Sequence, residues 1–152
     1  MFYDHVFKAL NKKRIKYLVL GGIAVNLYGL RRLTRDLDLM IDLSAENLDK
    51  FIRIIENLGY KTKVRKNKWS ILTAIAFQKV IDEFDRIDVF LKNPIDFKKA
   101  YKKRKVFRID NTRIPCVSLE DLICLKSKGN RIRDWIDVGS LKRIFKIKKE
   151  GK

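Results

Sequence analysis

Residues 17–39 read YLVLGGIAVNLYGLRRLTRDLDL and predict a strand, a helix and a second strand in close succession. Tyr17 to Leu20 is a short apolar run typical of a buried strand, and Gly21-Gly22 interrupts it. Residues Ile23 to Leu30 have helical spacing. From Asp36 to Leu43 carboxylate and aliphatic residues alternate, which indicates a strand with one polar face and one buried face.

The polar face of this second strand carries two carboxylates. Asp36 and Asp38 are two residues apart, so both project from the same side, roughly 6–7 Å from each other at the backbone. Like charges repel, and a strand keeps them side by side on a half-buried face when a cation lies between them. Asp88, on a predicted strand of its own, adds a third carboxylate. The only histidine, His5, lies on the predicted first helix, so the carboxylates predict a site for a hard cation such as Mg²⁺.

Simpler interpretations of the same residues remain open. The aspartates also suit a solvated strand face, and Asp88 suits a salt bridge to a neighbouring arginine. Gly21-Gly22 suits a plain turn, although small residues at the end of a strand also let a phosphate approach backbone N–H groups and the start of a helix.

The combination is more specific than its parts. Leu20, Gly21-Gly22, thirteen intervening residues and then Asp-Leu-Asp-Leu resemble the defining motif of the DNA polymerase β-like nucleotidyltransferase superfamily. The spacing Arg32-x-Thr34-x-Asp36-x-Asp38 is similar to the branch that includes abortive-infection toxin-like and other minimal prokaryotic nucleotidyltransferases. The strand around Asp88 and the segment from residue 114 to 134 resemble later parts of that branch.

This resemblance implies an α/β (α+β) fold in which a mixed sheet is flanked by helices. It also implies a reaction, the Mg²⁺-dependent transfer of a nucleoside monophosphate from an NTP to an acceptor hydroxyl, with Mn²⁺ as an alternative metal. Asp36, Asp38 and Asp88 would be the metal ligands and catalytic residues.

The resemblance further implies a set of nucleotide-binding residues: Gly21, Gly22, Arg32, Thr34, Lys126 and Arg133. Many members have Gly-Ser where this chain has Gly21-Gly22, so phosphate contacts here would involve the backbone only. Lys126 and Arg133 lie on predicted helices, where such residues also suit a solvated face. Asp134 is a candidate for holding an arginine in place.

Composition limits the partners. The chain has 36 Lys and Arg against 18 Asp and Glu, a formal net charge of +18, and 46% hydrophobic residues. This composition predicts one folded domain, residues 1–152, with a basic surface that attracts polyanions. Because the positive excess is greatest after residue 92, away from the carboxylates, we expect RNA, such as a tRNA end, or protein as the acceptor rather than a cationic small molecule.

Location and assembly are less constrained. The two cysteines, Cys116 and Cys124, lack metal-site or disulfide spacing and read as core residues of a cytoplasmic protein that has no membrane span. A homodimer or a partner protein is compatible with the sequence, as is membership of a toxin–antitoxin pair. A different class of function also remains open, a non-catalytic basic module that binds nucleic acid. The distance of Asp88 from the other two aspartates distinguishes these readings.

The remaining periodicity predicts the other elements. They are a first helix capped by Asp4, a helix over Ala45–Leu58 capped by Ser44, two strands within Lys61–Phe77, a strand over Arg86–Leu91, a helix from Pro94 to Lys103, a hairpin of Val106–Ile109 and Arg113–Val117, a helix capped by Ser118 that ends near Ser127, and a last helix over Arg131–Phe145.

Overall fold

The structure is a computed structural model that describes residues 2–82 and 84–151. Within these ranges one seven-stranded mixed sheet is flanked by helices, which confirms the predicted fold class. The helices are α1 Asp4–Lys12, α2 Gly21–Leu27, α3 Ala45–Asn57, α4 Phe97–Lys102, α5 Leu119–Ser127 and α6 Ile132–Glu150. The strands are β1 Tyr17–Leu20, β2 Leu37–Ile41, β3 Tyr60–Lys61, β4 Ala74–Lys79, β5 Arg86–Phe90, β6 Lys105–Ile109 and β7 Thr112–Cys116.

The strand order is β3-β4-β5-β2-β1-β7-β6, so β2 lies in the middle of the sheet. It runs antiparallel to β1, with Leu20 opposite Asp38, and parallel to β5, with Asp38 opposite Asp88. Residues opposite each other on neighbouring strands project from the same face. The pairing therefore brings two predicted site residues, 50 positions apart in the sequence, onto adjacent strands.

The face of the sheet opposite Asp38 and Asp88 packs against the main hydrophobic core. Leu37 and Leu39 of β2 are fully buried, as the alternating pattern predicts. Phe51 of α3 packs edge-on against Phe77 of β4, with ring centroids 6.5 Å apart, and Phe7 of α1 is fully buried in the same cluster. The alternation holds at the start of β2, whereas further along the strand Met40, on the same face as Asp38, is also fully buried.

The boundaries around the site differ from the expected ones. Helix α2 begins at Gly21, earlier than the expected Ile23, and ends at Leu27, close to the expected end around Gly29, which has a positive φ. Strand β2 covers Leu37–Ile41, rather than Asp36–Leu43, so Asp36 lies just before the strand. The reason is that β1 ends at Leu20, opposite Asp38, and the chain then turns into α2, which leaves Asp36 without a strand partner on that side.

The segment between α3 and β5 contains less strand than expected. Strand β3 contains only Tyr60–Lys61. The turn expected near residues 66–67 is instead a 3-10 helix over Lys66–Ile71. The Nε1–H group of Trp69 in this helix donates a hydrogen bond to the Val64 carbonyl at 3.1 Å, and its ring packs edge-on against Phe77. An anchored aromatic ring thus replaces a longer strand pair.

Two of the three predicted serine or aspartate caps are confirmed. Ser44 and Ser118 accept hydrogen bonds from the backbone N–H groups three residues later. Asp4 does not cap α1, because it is the first residue of the helix and its carboxylate accepts a hydrogen bond from the Thr112 hydroxyl at 2.5 Å. Helix α4 begins later than Pro94, with Asp96 as its cap.

The C-terminal half contains further differences. The hairpin is confirmed, with Asp110 and Asn111 at positive φ in its turn, and α6 continues to Glu150 rather than ending at residue 145. Cys116 is buried as expected, but Cys124 is exposed on α5. No helix in the described ranges has both the length and the apolar character needed to span a membrane.

The central position of Leu39 leads to a stability prediction. Leu39→Ala leaves a cavity in the fully buried face of β2 and should lower the free energy of unfolding by about 2–5 kcal/mol in urea denaturation. The control is Ile81→Ala, at a side chain that is 99% exposed, which should change it by less than about 0.5 kcal/mol. Equal effects of the two substitutions would contradict this account of the core.

Candidate active site

Three aspartates lie at the end of the central strands, where β1 ends and β2 begins. Asp38 and Asp88 are half-buried and directly opposite each other on parallel strands, and Asp36 is exposed two residues earlier. The predicted close placement of Asp88 beside Asp38 is therefore present. The condition that separates a catalytic site from a non-catalytic module also includes Asp36, which lies before β2 and outside this register, so the three-aspartate site stays a prediction.

Burial raises the pKa of two of the carboxylates. The pKa of Asp38 is raised to about 7, chiefly by burial and also by the charges of Asp88 and Asp36, while nearby Lys126 and Arg131 partly offset the rise. Burial also raises the pKa of Asp88, against a hydrogen bond from Arg86. Burial thus disfavours the charged form of both carboxylates, a cost that a bound cation would offset.

Arg86 occupies one side of this cluster. Its Nε–H group donates to Asp88 Oδ1 at 2.9 Å, which is the salt bridge that the sequence left open as an alternative. Residues 2–82 and 84–151 contain no group of three or more His, Cys, Asp or Glu side chains arranged to hold a metal ion. The donor type suits a hard cation, but the three-aspartate ligand set stays a prediction, and Arg86 already engages one oxygen of Asp88.

Gly21 is required by the close approach of Asp38. It follows β1 directly, has φ +71°, and a Cβ atom there would overlap the Asp38 carboxylate, only 2.9 Å from its Cγ. Residues that carry a side chain rarely adopt this backbone conformation, and two nonbonded carbon atoms do not approach each other so closely. The first glycine of the pair therefore lets β1 turn beside the carboxylate.

Gly22 leaves room for the segment that enters β2. A Cβ atom at Gly22 would lie 2.6 Å from Thr34 Oγ1 and 3.5 Å from Arg32 Nη2. Both predicted nucleotide-binding side chains of this segment therefore converge on the glycine turn. The hydroxyl that a serine at position 22 would carry is absent, but the Thr34 hydroxyl lies beside the same position.

Arg32 and Lys126 belong to a buried ion network. Arg32 pairs with Asp137, and Lys126 Nζ lies 3.2 Å from Asp137 Oδ2 and 3.3 Å from Asp134 Oδ1. The Lys126 side chain is only 8% exposed, so its interpretation as part of a solvated face is wrong. The network joins the segment before β2 to α5 and α6, on the Asp38 side of the sheet.

Arg133 lies outside this network. It is exposed, and among the described residues it takes part in no ion pair. Arg131, rather than Arg133, is the arginine that Asp134 holds, with Arg131 Nε 3.2 Å from Asp134 Oδ2. The hydrogen bond with Asp134 and the negative charge of Asp134 raise the pKa of Arg131, and the charge of Asp38 adds a weaker effect. Burial disfavours the charge of Asp134, but hydrogen bonds from Arg131 and Lys126 hold its pKa below the usual value.

Sequence reasoning did not identify Asp137 or Arg131. The available signal was helical spacing, since Arg131, Asp134 and Asp137 follow one another at intervals of three residues and thus share a helix face. Nothing in the local sequence indicated that Arg32, 105 positions away, contacts this face.

The glycine turn supports a test. Gly21→Ala should lower the free energy of unfolding by about 1–3 kcal/mol, because it combines an unfavourable backbone conformation with overlap at Asp38. Gly139→Ala is the matched control, since a Cβ atom there meets nothing within 4 Å and alanine favours the interior of α6. Thermal or urea unfolding should show the control unchanged or stabilised by up to about 1 kcal/mol, and a neutral Gly21→Ala would refute the close approach.

The buried network supports a second test. Asp137→Ala leaves Arg32 and Lys126 without a shared partner and should destabilise the fold by about 3–5 kcal/mol. Glu46→Ala breaks the solvent-exposed ion pair with Lys50 and should cost less than about 1 kcal/mol. Urea denaturation of both variants compares the two losses directly. Similar small losses would mean that the network contributes nothing beyond a surface pair.

Comparison with known proteins agrees with this geometry. The family model described as aminoglycoside-2''-adenylyltransferase matches residues 4–141. No curated protein matches the sequence at a significant level.

Several solved structures share the fold. The lincosamide antibiotic adenylyltransferase LnuA, solved with bound lincomycin, aligns with a TM-score of 0.69 at 22% identity over 94% of this chain and 96% of that protein. An antigenic nucleotidyltransferase-like protein from Paracoccidioides brasiliensis aligns at 0.63, with 18% identity over 91% and 72%. ANT(2")-Ia in complex with adenylyl-2"-tobramycin aligns at 0.56, with 16% identity over 88% and 81%.

These matches confirm the resemblance to the DNA polymerase β-like nucleotidyltransferase superfamily. They do not confirm the abortive-infection branch, and nothing in them indicates a toxin–antitoxin pair. The family model covers most of the chain, including every predicted site residue. The chain belongs to the aminoglycoside-2''-adenylyltransferase family and is a nucleotidyltransferase.

Proposed function

We propose that the enzyme transfers a nucleoside monophosphate, AMP in the first instance, from an NTP to a hydroxyl group of a small-molecule acceptor of the antibiotic class. The acceptor class is supported by the family description and by two relatives of the same fold, one bound to lincomycin and one to an adenylylated tobramycin. The RNA or protein acceptor expected from the net charge has no such support.

The observation that carries the proposal is the register of Asp38 with Asp88 beside the Gly21 turn. Half-buried carboxylates on adjacent strands, next to a glycine turn against which Asp38 and Thr34 pack, bring cation-binding groups and a hydroxyl that can bind phosphate together in one place. Asp36 lies two residues before Asp38, just outside β2. An isolated surface aspartate would have neither the burial nor the raised pKa of Asp38.

The site residues have separate roles in this proposal. A divalent cation, Mg²⁺ or Mn²⁺, held by Asp36, Asp38 and Asp88 would supply Lewis-acid stabilisation of the phosphate charge. Gly21 and Gly22 let the Asp38 carboxylate and the Thr34 hydroxyl pack against the turn where the triphosphate would bind, because neither glycine carries a side chain.

The segment before β2 orients the nucleotide. The Thr34 hydroxyl donates a hydrogen bond to a phosphate oxygen near Gly22, and the Arg32 guanidinium, held by Asp137, balances phosphate charge. Lys126 contributes positive charge from α5, on the same side as Asp38. Arg133 is exposed and remains the least supported member of the predicted nucleotide-binding set.

The chemical step is a displacement at the α-phosphorus. The acceptor oxygen forms a bond to this phosphorus, the bond to the bridging oxygen of the β-phosphate breaks, and pyrophosphate leaves with the electron pair. Asp88, once free of Arg86, accepts the proton of the acceptor hydroxyl. The strands of the described residues all belong to one sheet, which supports our proposal that residues 1–152 act as a single catalytic domain.

The test uses NTPs labelled at the α-phosphate, with Mg²⁺ or Mn²⁺, and lincomycin, tobramycin and total cell RNA as separate acceptors. Label should enter a small molecule, and the double variant Asp36→Asn, Asp38→Asn should lower this transfer by at least about 100-fold, because two anionic groups at the reacting centre are lost. Glu46→Gln, at an exposed acid, is the control and should leave the rate unchanged.

Two outcomes would contradict the proposal. Full transfer by the double variant would mean that the aspartates are not the reacting site. Salt-sensitive binding to RNA without transfer to any acceptor would support the non-catalytic nucleic-acid module instead.

A further inference from the structure

A cavity of about 720 Å³ lies between α1, α2 and β6, on the other side of the entering segment from the buried ion network. Its size is within the range of small-molecule sites. Phe7 of α1, Leu27 of α2, and Phe107 and Ile109 of β6 contribute apolar walls, and Phe84 closes one side with its exposed ring. None of the residues proposed above to bind metal lines this cavity.

The cavity is nevertheless adjacent to the reacting groups. Thr34 and Arg35 line it and are followed directly by Asp36, and the Thr34 hydroxyl also lies beside Gly22. Tyr3, another lining residue, places its hydroxyl in hydrogen-bond contact with the Arg35 carbonyl and, at 2.9 Å, with the Arg86 carbonyl. Tyr3 thus lies between the starts of the two strands that carry the site aspartates.

The charges around the cavity do not suit a polycation. Among the described lining residues only Asp82 is acidic, and its carboxylate already accepts a hydrogen bond from the Phe84 backbone N–H at 2.9 Å. Arg35 and Arg108 are basic, and Arg35 lies over the Phe84 ring, 4.6 Å from its centroid. A ligand with several ammonium groups would lose their hydration here without gaining carboxylate partners.

We propose that this cavity holds the apolar part of the acceptor, so the acceptor is a hydroxylated small molecule with an apolar ring or chain and at most one positive charge. This inference rests on the proposed function and narrows its substrate class. The apolar part is buried among the aromatic side chains, Arg108 offers hydrogen bonds at the wall, and the reacting hydroxyl extends past Thr34 towards Asp36. Polycationic aminoglycosides are excluded as preferred acceptors.

The first experiment fills the cavity. Ile109→Trp adds an indole at the end of β6, far along the chain from the aspartates, and Ile147→Trp on the exposed surface of α6 is its matched control. Lincomycin, a monocation with sugar hydroxyls and an alkyl chain, is the probe, and tobramycin is the polycationic comparison. Ile109→Trp should raise the KM for lincomycin at least about tenfold and leave the KM for ATP within about twofold, with the control unchanged.

A second variant guards against misfolding. Phe84→Ala removes an aromatic wall whose side chain is 56% exposed, so it affects folding little, and Ile81→Ala in the same turn, outside the cavity, is its control. We expect the KM for lincomycin to rise about three- to tenfold in Phe84→Ala only. Unchanged values in both cavity variants would locate the acceptor elsewhere and overturn the inference, while transfer itself would uphold the proposed function.

Binding without chemistry separates the two proposals. In equilibrium dialysis, the Asp36→Asn, Asp38→Asn variant should still bind labelled lincomycin, and adding Ile109→Trp should abolish this binding. Such binding supports the cavity inference even if no acceptor receives label and the proposed function fails. Absence of lincomycin binding to the wild-type protein, or a kcat/KM for tobramycin above that for lincomycin, would overturn the cavity inference.

Discussion

The close approach of the Asp38 carboxylate to the backbone of Gly21 is the constraint on which the rest of the site depends. Because Leu20 lies opposite Asp38 at the end of β1, the chain turns into α2 immediately beside this carboxylate. Only a residue without a side chain fits that turn. The same turn leaves Asp36 outside the sheet and directs the entering segment, with Thr34, past Gly22. The lack of space for a side chain at Gly21 therefore determines which groups meet where β1 ends and β2 begins.

Electrostatics around the site follows a division between two clusters. Asp38 and Asp88 form an acidic cluster in which burial raises both pKa values, whereas Arg32 and Lys126 are held nearby by buried aspartates of α6. A buried lysine without such partners would be strongly disfavoured, so the network keeps positive charge beside the acidic cluster at a fixed position. The net charge of +18 has a more general effect. It attracts NTP, which every nucleotidyltransferase must bind, and for that reason it does not identify the acceptor.

The acceptor question is instead a question of local surfaces. Long-range charge is screened within about 10 Å at moderate salt, whereas a cavity excludes or accepts a ligand by shape, apolar area and hydrogen-bond partners. The family description and the related structures favour antibiotic-like acceptors of two different charge types. The aromatic cavity beside Tyr3 and Thr34 favours the less charged type in this chain. The net charge of +18 is an average over the whole surface and does not describe the reacting site.

Local patterns determined the elements and the motif. Alternation in β2, the apolar run of β1 and the serine caps depend on residues within a few positions, so they are legible in the sequence, and the spacing from Gly21 to Asp38 identified the superfamily. Only the tertiary structure decided that Asp88 lies opposite Asp38 yet pairs with Arg86, that Lys126 is buried and that Asp137 holds Arg32. Those contacts join distant segments through strand order and helix packing, and the free energy of each depends on burial, which no local pattern encodes.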